Sequence, residues 1–251
     1  MFLQTININN NSLVNDIVTQ DYRTAAVFRK YGIEYSCDGK WSLETACKTR
    51  GLDTGLIREE LELSMRNISI SNAIDFSEWD IDFLIDYIIN VHHQYLKRTL
   101  PEVKDYLEKF IEEHKEKYNY LEVLQKIFMQ MSKEIFPHMQ KEEEIFFPYI
   151  KQIAHAYYNK ESYAGLLVRT LRKPVKEFMM HEHELVGVKL LKIRELTNNY
   201  FIPEKACISY KVTLSKLREL DNDLFQHIHL ENTILFPKAI EMEKELLQKK
   251  D

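Results

Sequence analysis

His138-Met-Gln-Lys-Glu142, followed by Phe147-Pro148, returns later in the chain as His227-Ile-His-Leu-Glu231, followed by Phe236-Pro237. Both copies set Glu at +4, Phe at +9 and Pro at +10 from the leading His. On a helix, i and i+4 share a face one turn apart, so each copy offers an imidazole and a carboxylate to one point. Steps of three and four through the first copy pass Met131, Ile135, His138, Glu142, Ile145 and Tyr149. Through the second they pass Leu217, Leu220, Leu224, His227, Glu231 and Ile234. The other seam positions are apolar or aromatic, so the spacing predicts that His and Glu face a core. An ionised Glu in a core is costly unless it is paired or binds metal. Two of them, each one turn from a His, point to metal.

Upstream of each copy a single histidine lies on another apolar seam. His93 follows Ile85 and Ile89 and precedes Leu96 and Leu100; His183 follows Met179 and precedes Val186 and Leu190. From His93 to His138 is 45 residues, and from His183 to His227 is 44. One such histidine alone is ordinarily a hydrogen-bonded core residue, and one His/Glu pair at i,i+4 is ordinarily a surface pair. Repetition on apolar seams with matched spacing favours metal instead. The chain reads as two similar helical hairpins, each bringing two His and one Glu to the core of a four-helix bundle. Imidazole and carboxylate donors in a bundle core are the setting of dinuclear iron and manganese sites.

The fold class expected is all-α. Hydrophobic residues make up 45% of the chain, enough for a sizeable core, while only 6 Gly and 6 Pro favour helices over turns. Residues 1–66 read as a small helical N-terminal domain, 67–80 as a linker and 81–245 as the bundle. Long amphipathic helices are expected over about 81–113, 119–157, 163–198 and 206–245. In the first block, short helices are expected from Leu13 to Val18, from Asp21 to Lys30, from Ser42, and from Asp53 or Thr54 to Arg66. Pro101 is expected to kink the first long helix, and Pro148 and Pro237 to bend or end theirs.

A net charge of −5 and a pI near 6.0 give no sign of a nucleic-acid binder. The opening MFLQTININN has neither a basic stretch nor a long apolar run, so no signal peptide and no membrane span are expected. Three cysteines, Cys37, Cys47 and Cys207, suit a reducing cytosol, so a cytoplasmic protein is expected. Cys47 and Cys207 fall in helical patterns and read as buried, inert thiols. His114, His155, His181 and His229 lie off the seams, with the surface as their expected place. Glu182, beside His183, is a candidate for a place behind the ligands or on an access path.

The blocks HHQYLKRTLPEV, HMQKEEEIFFP, HEHELVG and HIHLENTILFPKA, in this order, carry a resemblance. With the N-terminal YGIEYSCDGKWSLETACKTRGLD, the chain resembles the RIC family (repair of iron centres), whose second part is a hemerythrin-like bundle. The resemblance implies two iron ions, oxo- and carboxylate-bridged. Their ligands would be His93, His138, Glu142, His183, His227 and Glu231, with the two Glu as bridges. The family's first ligand lies eight residues before the Pro of the LPE stretch, which selects His93 over His92. The family's N-terminal turn usually carries two adjacent cysteines followed by Gly-Gly; here it reads Ser36-Cys37-Asp38-Gly39. No vicinal dithiol exists, and Cys37 alone is the candidate redox thiol.

The function implied is cytosolic repair of iron–sulfur clusters damaged by nitrosative or oxidative stress, by supplying iron. The implied partners are damaged iron–sulfur proteins, NO or O₂ as small ligands, and a second copy in a homodimer. Two alternatives stay open: a di-iron enzyme reducing NO or peroxide, and an O₂ or NO sensor. Hemerythrin oxygen sites carry a fifth histidine, and no seam position here supplies one.

Overall fold

The computed structural model describes residues 8–35, 41–65, 75–171 and 175–248. The Cys37 turn, Arg66 at the expected end of the N-terminal block and residues 67–74 of the expected linker lie outside the described residues. Within them, helices α1 (Val14–Gln20), α2 (Thr24–Lys30), α3 (Leu43–Lys48) and α4 (Thr54–Ser64) form the first block. Their ends follow local chemistry. Ser42 accepts the Thr45 N–H, and Asp53 accepts those of Gly55 and Leu56, each satisfying an otherwise orphaned donor. Gly32 and Gly51, both at φ +65°, turn the chain after α2 and α3. Asp21 does not start α2 directly: its carboxylate takes the Arg23 N–H and guanidinium, and the helix begins at Thr24.

Four long helical rods follow. α5 (Ile81–Tyr87) runs into α6 (Gln94–His114), and α7 (Leu121–Lys141) into α8 (Phe147–Tyr158). α9 (Ala164–Leu171) precedes α10 (Val175–Leu196), and α11 (Ile208–Leu230) runs into α12 (Phe236–Gln248). Among the described residues, three of the rods contain a π-helical turn, at Ile88–His93, Glu142–Phe146 and Glu231–Leu235. Pro148 and Pro237 therefore do not end their rods. Each is the second residue of the α-helix resuming after a π turn. The wider turn removes the clash that a proline ring makes with the carbonyl four residues back.

The π turns also correct the expected seams. A turn with one extra residue advances the face that follows it. Ile145 is 43% exposed and Phe146 takes the buried place at 6%. Likewise Ile234 is half-buried and Leu235 is buried.

Two apolar clusters fill the bundle. One gathers α5, α8, α9 and α12 around Ile85, Ile150, Val168 and Leu246. The other gathers α6, α7, α10 and α11 around Leu100, Phe128, Leu190 and Leu217. The N-terminal block shares its core with the rods: Phe28, Leu43 and Leu61 pack in one cluster with Tyr106, Ile208 and Val212. Cys47 is buried there as expected. Cys207 is not inside a helix. It caps α11 and is half-buried, with its Sγ 3.1 Å from His114 Nε2 and 3.2 Å from Ser209 Oγ. His114 is correspondingly half-buried rather than on the open surface. Among the described residues no helix is long and apolar enough to cross a membrane.

Candidate metal centre

At the junction of the two bundle clusters the structure brings together all six expected side chains: His93, His138, Glu142, His183, His227 and Glu231. All are buried, and both Glu are fully inaccessible. They divide into two groups, His93 with His227 and His138 with His183, and both groups include Glu142 and Glu231. In each group the donor atoms lie within 4.8 Å of one another.

The carboxylates are shared oxygen by oxygen. Glu142 Oε2 lies 3.4 Å from His93 Nε2, and its Oε1 lies 3.1 Å from His138 Nε2. Glu231 Oε1 lies 3.1 Å from His227 Nε2, and its Oε2 lies 3.1 Å from His183 Nε2. The imidazoles meet in pairs, 3.1 Å between the Nε2 atoms of His93 and His227 and 2.9 Å between those of His183 and His138.

The hydrogen bonds behind the rings hold Nε2 inward. His93 donates from Nδ1 to Glu143, His138 to Glu182, and His183 to Asn232 Oδ1, each at 2.8 Å. Such outer partners fix the tautomer and orientation of a ligating histidine. Lys97 and Lys141 in turn hold Glu143 and Glu182. The repeated phenylalanines are covers: Phe147 stacks on His93 at 5.7 Å and Phe236 on His183 at 6.0 Å. The repeat is thus a spatial pseudo-twofold. The residue after each motif Glu supports one histidine, and the Phe five residues after that Glu covers the same ring.

Burial disfavours charge on His93, His138, His183, Glu142 and Glu231, yet their neighbours favour it. His93 and His138 are raised above the ordinary histidine range against that burial, because Glu142 attracts their protons; His183 is pushed up to about 10 by Glu142 and Glu231. Burial also works against the ionised carboxylates, yet Glu142 lies well below the usual range through its histidine neighbours. Glu231 falls to about 2, with burial and Glu142 opposing and His227 and His183 prevailing. Two carboxylates in one core would by themselves push one another to hold a proton; four surrounding imidazoles reverse that expectation.

The donor set fits a metal pair. Both oxygens of Glu142 and Glu231 Oε2 are buried without a hydrogen-bond partner, acceptor capacity that a cation satisfies. Imidazole with carboxylate suits iron, manganese or zinc. Glu182 stands behind His138, one of the two places the sequence left open for it. Glu143 and Asn232, which hold His93 and His183, and His92, which lies beside His227, are neighbours of the cluster that sequence reasoning missed. Comparing the residue after Glu in the two motif copies would have found the first two. His155, His181 and His229 are exposed, as expected.

A histidine–carboxylate cluster held between the rods of a four-helix bundle defines a hemerythrin-like cation-binding protein. Residues 84–239 match the hemerythrin HHE cation binding domain, and residues 10–64 match a domain described as of unknown function (DUF542). The chain is 33% identical to the iron-sulfur cluster repair protein YtfE of Enterobacter sp. (strain 638), over 90% of this chain and 96% of that one. It is 34% identical to YtfE of Escherichia coli O81, over 87% and 91% respectively. It is 28% identical to the iron-sulfur cluster repair protein ScdA of Staphylococcus epidermidis (strain RP62A), over 92% and 99%. The chain belongs to the RIC family of iron–sulfur cluster repair proteins.

Proposed function

We propose that this protein repairs damaged iron–sulfur clusters by supplying iron, drawn from a pair of iron ions held by His93, His138, Glu142, His183, His227 and Glu231. One observation supports the reading: each Glu sends one oxygen toward each histidine pair, the arrangement that a carboxylate shared by two cations would need. The relatives' names supply the client class, damaged iron–sulfur proteins. When bound, the irons supply redox change and exchangeable coordination positions. The chain's own part is to hold and to let go. Glu142 and Glu231 lie between the pairs, so a carboxylate that swings to one side loosens its grip on the other.

Release also needs a way out. A cleft lined by Lys133, Glu134, Pro137, His138, Lys141 and Glu182 reaches the cluster at His138. Ferrous iron draws the two carboxylates less strongly than ferric iron, so the reduced protein is the donor form. The test is a ferrous chelator added to oxidised and reduced protein, with the reduced protein then mixed with an enzyme whose cluster has been damaged. Loss of iron from the reduced form within minutes to hours, with recovery of the client enzyme, is expected. His93→Ala and His183→Ala are expected to fail in recovery. Retention of both irons by the reduced form would overturn iron donation and favour NO or O₂ chemistry at the same pair.

A further inference from the structure

The pseudo-twofold assigns a role to a residue outside the metal ligands, and the assignment rests on the metal reading above. Each half supports its histidines in two ways. The residue after the motif Glu takes Nδ1 of one ring: Glu143 for His93 and Asn232 for His183. The residue before the upstream His takes Nδ1 of a ring in the other half, and Glu182, before His183, does this for His138. The equivalent of Glu182 is the residue before His93, which is His92. The equivalent of His138 is His227, among the described residues the one ring of the four whose Nδ1 has no hydrogen-bond partner.

His92 is built for that place. It is 2% exposed, and its ring lies nearly parallel to that of His227, at 12° and 5.9 Å between centroids. Its Nδ1 lies 3.0 Å from Asp223 Oδ1. A carboxylate only accepts, so Nδ1 carries the hydrogen, and Nε2 of the neutral ring is left as an acceptor. That Nε2 is buried and unpartnered. When His227 binds metal through Nε2, its hydrogen sits on Nδ1, as a donor. The two orphaned nitrogens have the polarities each other needs. We propose that His92, oriented by Asp223, is the positioning residue of His227. It would accept the His227 Nδ1–H directly or through one water, as Glu182 does for His138. Each histidine pair then has one carboxylate support, Glu143 on His93 and Glu182 on His138; the second support is the His92 imidazole in one pair and the Asn232 amide in the other, so the two metal positions are inequivalent.

The experiment uses the full chain, purified without oxygen, loaded with ferrous iron and measured by metal analysis, iron titration and Mössbauer spectroscopy. Wild type, His92→Phe, His92→Gln and Asp223→Ala are compared. Wild type is expected to hold two irons in two distinguishable environments. His92→Phe is expected to keep one environment unchanged and to weaken iron at the other about 10–100-fold, the usual effect of losing a ligand's outer partner. His92→Gln places an amide oxygen near the lost Nε2 and is expected to restore that environment. Asp223→Ala, at a half-buried position, is expected to weaken the same iron, and it carries the test should His92→Phe lose its helical circular dichroism. Two irons in wild type with unchanged affinity and spectrum in the folded variants would overturn this inference alone. Fewer than two irons in wild type would overturn the metal reading and the inference with it.

Discussion

At the scale of single residues, the two buried carboxylates decide the chemistry of the cluster, since each lies against a histidine of both pairs. A buried Glu needs a partner, and two His/Glu pairs on apolar seams left few alternatives to metal. If Glu142 lends one oxygen to each histidine pair, removing its charge while keeping its shape affects both. Glu142→Gln is expected to lower iron per chain by at least half, as read by metal analysis. An unchanged iron content would exclude Glu142 as a bridge. The supports are less legible in the sequence than the ligands. Glu182 is a candidate because it adjoins His183, but Glu143 and Asn232 are polar residues beside other polar residues, and a sequence pattern assigns them to solvent. Only the packing of one rod against another turns Glu182 toward His138 and Asn232 toward His183. His92 carries no signal of its own: the family spacing selects His93 and leaves its neighbour without a role.

At the scale of elements, the four rods appeared where hydrophobic periodicity placed them, but their inner register did not. A seam drawn with steps of three and four assumes an unbroken α-helix. The π turns at Glu142–Phe146 and Glu231–Leu235 start at the two bridging candidates. Such turns are rare and cluster at functional sites. Here the extra residue does two jobs. It lets Pro148 and Pro237 sit in continuous rods, and it turns Phe147 and Phe236 over the histidine rings. The inserted residue is therefore more important than its side chain. Ile145→Ala, at an exposed position, is expected to leave melting temperature and iron content near wild type. Deleting Ile145 removes the extra residue and rotates the Phe147, Tyr149 and Ile150 face away from the core. That deletion is expected to lower the melting temperature by about 10 °C, corresponding to roughly 3–5 kcal/mol at about 2–4 °C per kcal/mol, and to reduce iron binding. Equal iron and melting for the deletion and the substitution would show that the π turn is incidental.

At the scale of the whole molecule, the cluster couples folding to charge. The rods bury four imidazoles and two carboxylates that no single rod could hold. Tyr106, Ile208 and Val212 extend the apolar core from the bundle into the N-terminal block. Without metal, protons must supply the positive charge the carboxylates require. His183 rises to about 10 in the fold, and His93 and His138 are raised with it. An unfolded histidine titrates near 6.5. A raised folded-state value means that the folded protein binds protons more tightly than the unfolded chain. The stabilisation is thus complete below about 6.5 and is lost as pH rises toward the folded-state value. Metal-free protein is therefore expected to melt at progressively lower temperature from about pH 6.5 to 9. Glu231, depressed to about 2, contributes in the opposite sense, stabilising above the ordinary carboxylate range and failing only in strong acid. With metal bound, the ligating nitrogens carry no proton and the cation supplies the charge. The loaded protein is then expected to melt higher, by mass action, and to lose the alkaline slope. Thermal melts by circular dichroism at several pH values, with and without bound iron, read both effects. A metal-free protein with a flat profile over this range, or a loaded protein with the same slope, would show that the six side chains do not form one charge-coupled site.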